Sequence, residues 1–201
     1  VLPAFDDAVL KKELGNFGAW GQRAFGALCC ERLLPNYVAF QNEVKWGDSR
    51  PLRSALDLVW RGFLGQAVSQ DEIKRLAAVC EALAPSSDDF DALRTASAED
   101  ACFAICSLLD HLITPDVGRV VQTAVYATDS IDLFVQEIEE LEPSDRNLEL
   151  IILKHPLMQR ELLRQKDDLE SIRAALASGD ASMERLAALR RADERGNLES
   201  L

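Results

Sequence analysis

The sequence is poor in histidine, in positive charge and in long apolar runs. Only two histidines, His111 and His155, occur in 201 residues. Neither sits in an H-x-x-x-H or E-x-x-H pattern, so the repeated E-x-x-H set of a two-metal carboxylate bundle is absent. His111 falls near the end of a helix and His155 precedes a proline, and both read as structural. The longest uncharged run, Leu33 to Asn42, is far below the ~18 apolar residues of a membrane helix. No membrane partner is therefore expected. Lys and Arg number 22 against 34 Asp and Glu, giving a net charge of −12 and a pI near 4.6. Such a chain repels phosphates and anionic lipid, so no nucleic acid is expected either. There is no G-x-x-x-x-G-K, G-x-G-x-x-G or G-x-S-x-G motif, and with them go the usual cofactor cradles and the nucleophile elbow. The expectation is no catalytic constellation, no metal site and no cofactor.

The five cysteines, Cys29, Cys30, Cys80, Cys102 and Cys106, are an odd number and include no C-x-x-C. Cys102 and Cys106 share a helix face, but that face is apolar. They read as small hydrophobes rather than zinc or redox ligands. Residues 1–14 carry Asp6, Asp7, Lys11, Lys12 and Glu13 and contain no apolar signal-peptide core. A reducing, cytoplasmic setting follows as the expectation.

What is present is helical periodicity with turn signals between segments. A first helix is predicted over 5–14 and a second over 17–34, with Phe17, Trp20, Ala24 and Leu28 on one face. Pro35 is expected to open a third, ending near Trp46 and Gly47. Asp48 or Ser49 caps a fourth, striped by Leu52, Leu56, Val59 and Phe63. Ser69 and Glu72 form a capping box for a fifth, which Pro85 stops. Ser97 caps a sixth, carrying Cys102, Ile105, Cys106, Leu109 and Ile113. Thr114-Pro115 starts a seventh that runs to Leu141, with a break or bend at Asp129-Ser130. A short segment over 148–153, a charged helix over 157–177 and a last helix over 181–194 complete the chain. The fold class is all-α: a single-domain bundle, residues 1–201, of roughly nine or ten helices without significant β-sheet. The core motif region is 17–113, and the more charged C-terminal helices occupy 157–195.

Several polar groups invite a functional reading. Asp88, Asp89 and Asp91, with Glu99 and Asp100 nearby, are oxygen ligands of the kind Mg²⁺ or Ca²⁺ takes. They are equally a solvated loop with helix caps. Arg53, Asp57 and Arg61 form an i, i+4 ladder beside Trp60. Between Arg119 and Arg146 stand seven acids and no cation, a face suited to a basic partner or simply a solvated helix end. Arg160, Arg164, Arg173, Arg185, Arg190, Arg191 and Arg195 are interleaved with acids, which argues against phosphate binding.

Three stretches together carry a resemblance. The first is Cys30-Glu31-Arg32 with Pro35-Asn36-Tyr37. The second is Gly47-Asp48, then Arg53 and Leu56-Asp57-Leu58-Val59-Trp60. The third is Pro85-Ser86-Ser87-Asp88-Asp89-Phe90-Asp91, then Asp100-Ala101-Cys102. They resemble the C-E-R-x-x-P-N-Y, G-D, L-D-L-x-W and P-S-x-D-D-F-D…D-A-C signatures of the bacterial YjaG-like family, a domain-of-unknown-function family. The match spans about 17–113 and weakens beyond. It implies an all-helical bacterial cytoplasmic protein and no particular activity. Glu31, Arg32, Asn36, Tyr37, Arg53, Asp57, Trp60, Asp89 and Asp100 are the candidate residues. They read either as a buried polar network that fixes helix packing or as the lining of a pocket. A non-enzymatic interaction protein follows from the first reading, its partner another protein or a second copy through the near-heptad stripe Leu162, Leu169, Ile172 and Leu176. A small-molecule or divalent-cation module, with enzymatic use of Glu31, Asp57, Asp89 and Asp100, follows from the second.

Overall fold

A helix that is apolar on every side belongs in the middle of a protein, and residues 18–44 meet that description. They form a single 27-residue helix, of which sixteen residues are buried. The computed structural model describes residues 4–178, 190 and 196–199. Among them are eight helices and no strand: α1 (Asp7–Gly15), α2 (Gly18–Val44), α3 (Ser49–Phe63), α4 (Gln70–Ala82), α5 (Thr95–Ile113), α6 (Val117–Ile138), α7 (Leu148–Lys154) and α8 (Pro156–Ser178). The α2 helix packs against α1, α3, α5, α6 and α8, with α4 closing over α3 and α5, and α7 over α6 and α8.

The main core gathers Phe25, Leu28, Leu33, Tyr37 and Phe40 of α2 with Leu52, Leu56 and Leu58 of α3, Ile105 and Leu108 of α5, and Leu169 and Ile172 of α8. A smaller core joins Ile131 and Val135 of α6 to Ile152, Met158, Leu162 and Leu198. The near-heptad stripe of α8 is thereby buried within the chain at Leu162, Leu169 and Ile172, while Leu176 stays partly exposed.

The all-α class is as predicted, and the described residues form eight helices against the nine or ten expected of the whole chain. The predicted second and third helices are one. Pro35 lies inside α2, where it denies the Glu31 carbonyl its helical partner. Burial of the turns on both sides holds the helix together across that gap. Of the predicted last helix, 181–194, only residue 190 is among the described residues.

Local signals were read well where they involve a cap. The Asp48 carboxylate accepts from the Arg50 N–H at 3.0 Å, and Ser69 Oγ accepts from the Glu72 N–H at 3.1 Å. The second half of that box is missing, because the Glu72 carboxylate pairs with Arg61 at 2.7 Å instead. Ser97 is no cap: α5 begins at Thr95, and Ser97 Oγ donates to the Arg94 carbonyl at 3.1 Å. Nor do Asp129 and Ser130 break α6. Ser130 is buried and returns its hydroxyl to the Ala127 carbonyl at 3.3 Å, keeping its polarity inside the helix.

Close approach of α2 to α5 and α6 depends on Gly26. A Cβ there would stand 2.9 Å from Leu108 Cδ1 and 3.6 Å from Val120 Cγ1. Gly26→Val is expected to overpack this crossing and cost about 1–3 kcal/mol. Thermal unfolding will show a midpoint lowered by several degrees, at roughly 2–4 °C per kcal/mol for a chain of this size.

Candidate functional site

Successive residues of a helix point about 100° apart, so polar residues crowded into a single turn must seek different partners. Glu31, Arg32, Asn36 and Tyr37 sit in the buried middle of α2, and each reaches a different element.

Glu31 faces α3. Its two oxygens accept from Arg53 Nη1 at 2.6 Å and Nη2 at 2.7 Å, a fork-on-fork pair, and Trp60 Nε1 donates to Oε1 at 2.6 Å. Arg190 adds its Nε at 3.1 Å. Asp57, more exposed, takes Arg53 Nε at 3.1 Å and Arg190 Nη2 at 2.9 Å. Two carboxylates and two guanidiniums thus alternate around a square, with Trp60 along one edge.

Arg32 faces α8 and is fully buried. Its Nε and Nη2 reach Glu161 at 3.1–3.3 Å, and Nη1 reaches Asp168 at 2.7 Å. Gln165 Nε2 donates to Glu161 at 3.0 Å and to the Ala124 carbonyl at 3.4 Å, extending the cluster to α6. Beside Arg32, Cys29 is fully enclosed, and burial pushes its thiol far above the ordinary range, so it holds its proton.

Asn36 donates to Asn197 Oδ1 at 2.7 Å. Asn197 in turn donates from Nδ2 to the Ala127 carbonyl at 2.9 Å and to Ser130 Oγ at 3.1 Å, and from its backbone N–H to the Arg32 carbonyl at 3.1 Å. Residues 196–199 are pinned by these bonds onto α2 and α6. The Tyr37 hydroxyl donates to the Leu83 carbonyl at 3.1 Å, tying α2 to the end of α4. It packs so closely on Gly47, whose φ is +87°, that a Cβ there would stand 2.5 Å from the phenolic oxygen.

The family described as "Protein of unknown function (DUF416)" matches residues 9–198. The chain is a DUF416 family protein. It is 27% identical over 143 residues to "Uncharacterized protein YjaG" of Escherichia coli K12, covering 71% of each. It is 30% identical over 107 residues to the protein of the same name from Salmonella typhimurium, where the match covers 53% of each chain. The crystal structure of a DUF416 family protein from Shewanella baltica shares the fold, with a TM-score of 0.80, 24% identity and coverage of 91% of this chain and 92% of that one.

The nine candidate residues of this DUF416 chain do not form a single site. Glu31, Arg53, Asp57 and Trp60 come together, and Arg32, Asn36 and Tyr37 radiate from the same turns of α2. Asp89 stands exposed in the loop between α4 and α5, its backbone N–H donating to the Ser86 carbonyl at 3.0 Å. Asp100, on α5, has Asp129 and Glu99 for neighbours. The four carboxylates Glu31, Asp57, Asp89 and Asp100 therefore do not share one ligand shell. Among the described residues no group of three or more His, Cys, Asp or Glu is placed to hold a metal ion.

The partners that complete the network were not singled out from the sequence as such. Glu161, Gln165 and Asp168 lie at i, i+4 and i+7 on the apolar stripe of α8, and polar residues on a buried stripe were the available signal. Asn197 and Arg190 lie in a stretch where the motif resemblance is weak.

Asp100 is a further anomaly. Its Oδ2 is buried without a hydrogen-bond partner. Burial, and after it the Asp129 and Glu99 carboxylates, push its pKa up to about 8. The folded chain then keeps a proton that the unfolded chain releases near 3.8, so this residue makes stability fall as pH rises from about 4 to about 8. Asp100→Asn should match the parent in denaturant melts at about pH 4 and exceed it at about pH 9, where the parent carries the unpaired buried charge. Arg32→Met is expected to cost about 3–5 kcal/mol in the same assay, because it strands Glu161 and Asp168 as buried anions. Adding Glu161→Gln should recover part of that loss, since the pair is coupled.

Proposed function

We propose that this chain is a non-enzymatic helical interaction protein that presents an acidic, apolar-edged ridge to a basic partner protein. The observation that carries this reading is the end of α6. Leu133 and Ile138 are exposed there at 49% and 43%, and α7, which packs on α6, exposes Leu150 and Ile151 at 46% and 36%. Large aliphatic side chains grouped on a surface mark interaction sites more often than single ones do. Phe134 stands between two grooves. One, of about 650 Å³, lies along Ile138, His155, Pro156 and Leu157. The other, of about 550 Å³, lies along Leu93, Leu133, Leu141 and Pro143.

Glu137 lines the second groove, and Glu139, Glu140, Glu142 and Asp145 follow it in a stretch without a lysine or arginine between Arg119 and Arg146, while Arg94, 5.5 Å over the Phe134 ring, and Arg160 line the first groove. An acidic rim around apolar anchors complements a basic amphipathic segment, steering its approach and fixing its register. The motif residues Glu31, Arg53 and Asp57 support a scaffold role, because they pair with one another across α2 and α3. The five free thiols support the cytoplasmic setting, and no described helix is long and apolar enough to cross a membrane.

A photo-crosslinking residue at position 133 or 138 should capture a basic protein in cells, and one at exposed Lys74 on α4 should not. With the label at position 133, Ile138→Asp combined with Glu140→Lys should abolish the adduct while changing stability by no more than about 0.5 kcal/mol. Equal labelling from positions 138 and 74, or an adduct indifferent to the double variant and to salt, would sink the proposal.

A further inference from the structure

Arg190 is held the way a protein holds a ligand. Its Nε lies 3.1 Å from Glu31 Oε1 and its Nη2 lies 2.9 Å from Asp57 Oδ1. Its guanidinium carbon sits 5.2 Å from the centroid of the Trp60 ring. A guanidinium is recognised by fixed carboxylate acceptors along its planar edge and by an aromatic face, and all of these converge here from two helices.

The receptor half of this arrangement is built without Arg190. Arg53 clamps both oxygens of Glu31 and one of Asp57, and Trp60 donates to Glu31 at 2.6 Å. With Arg53 alone the two carboxylates leave one negative charge uncompensated, and a second guanidinium neutralises it. The rim is open to solvent: Arg190 is 35% exposed and Asp57 51% exposed. Access does not require the core to open. Arg190 also reaches the site from 133 residues away along the chain, so its seat is a tertiary docking and not part of a helix turn.

We propose that Glu31, Asp57 and Trp60 form a binding site for an arginine side chain of a partner protein, and that Arg190 occupies it in cis as a displaceable plug. The site is on α2 and α3, apart from the α6 ridge, and the inference does not rest on that reading. A tethered side chain competes at an effective concentration in the millimolar range. A partner arginine must therefore bring further contacts to displace it, and removal of Arg190 leaves the site vacant. Lysine is a poor substitute, since an ammonium cannot present one planar edge to Glu31 and Asp57 together.

The test titrates Nα-acetyl-arginine amide into the full chain and follows the Trp60 indole N–H resonance, assigned with Trp60→Phe. Arg190→Ala is expected to bind the probe at least tenfold more tightly than the parent, and Nα-acetyl-lysine amide more weakly than the arginine probe. Asp57→Asn placed on Arg190→Ala should weaken arginine binding severalfold. Where Arg190→Ala loses helicity by circular dichroism, Arg190→Lys is titrated in its place, with the same order expected. Equal affinity in parent and variant, no binding to a folded variant, or equal response to the lysine and arginine probes overturns the proposal.

Discussion

A guanidinium with no exposure to water has to be met by anions, and the position of α8 follows from that requirement. Arg32 lies in the middle of α2 between apolar neighbours, where an unpaired charge would be prohibitive. Glu161 and Asp168, at 1% and 9% side-chain exposure, meet it from two turns of α8. Such a cluster is not a strong source of net stability, because desolvation offsets most of the attraction. Its contribution is register. A one-residue rotation of α8 would carry both carboxylates off Arg32 while its leucines could still find apolar surface. The main core holds Leu169 and Ile172 and the small core holds Leu162, so fixing α8 also fixes one core to the other.

The neighbouring residues of α2 repeat this logic in other directions. Glu31 fastens α3, Asn36 fastens residues 196–199, and Tyr37 fastens the end of α4. A helix buried on all sides cannot specify its neighbours by a stripe, since every direction is apolar. Polar pairs give each direction a distinct address. Burial holds the thiol protons in place, and the internal charges of α2 are matched. At the Glu31–Asp57 rim, one of the matched charges arrives from far along the chain.

Much of the fold was legible because helix signals are local. The caps Asp48 and Ser69 act within three residues, and the stripes of α3, α4 and α5 repeat within one helix. The errors fell where a local rule competed with burial. Pro35 reads as a helix start by its missing N–H, yet α2 continues through it because the surrounding side chains are packed on every side. Ser97 reads as a cap, but the helix had already begun two residues earlier, where buried Thr95 bonds the Phe90 carbonyl at 3.3 Å.

The candidate site was legible by name and not by arrangement. Glu31, Arg53, Asp57 and Trp60 were drawn from the motifs, and they do meet, because Glu31 lies opposite α3 and the two helices are joined by a short turn. Asp89 and Asp100 came from the same motifs and lie elsewhere, since proximity in a motif says nothing about which face of a later helix a residue occupies. The sequence by itself determined the all-α class, most helix starts, the acidity and the identity of the polar residues, all of them products of local periodicity and composition. Only the tertiary structure decided that Arg32 belongs to Glu161 and Asp168, and that Arg190 belongs to Glu31 and Asp57. Pairs separated by more than a hundred residues are selected by the cost of leaving a buried charge unmet, and that cost exists only once the helices have packed.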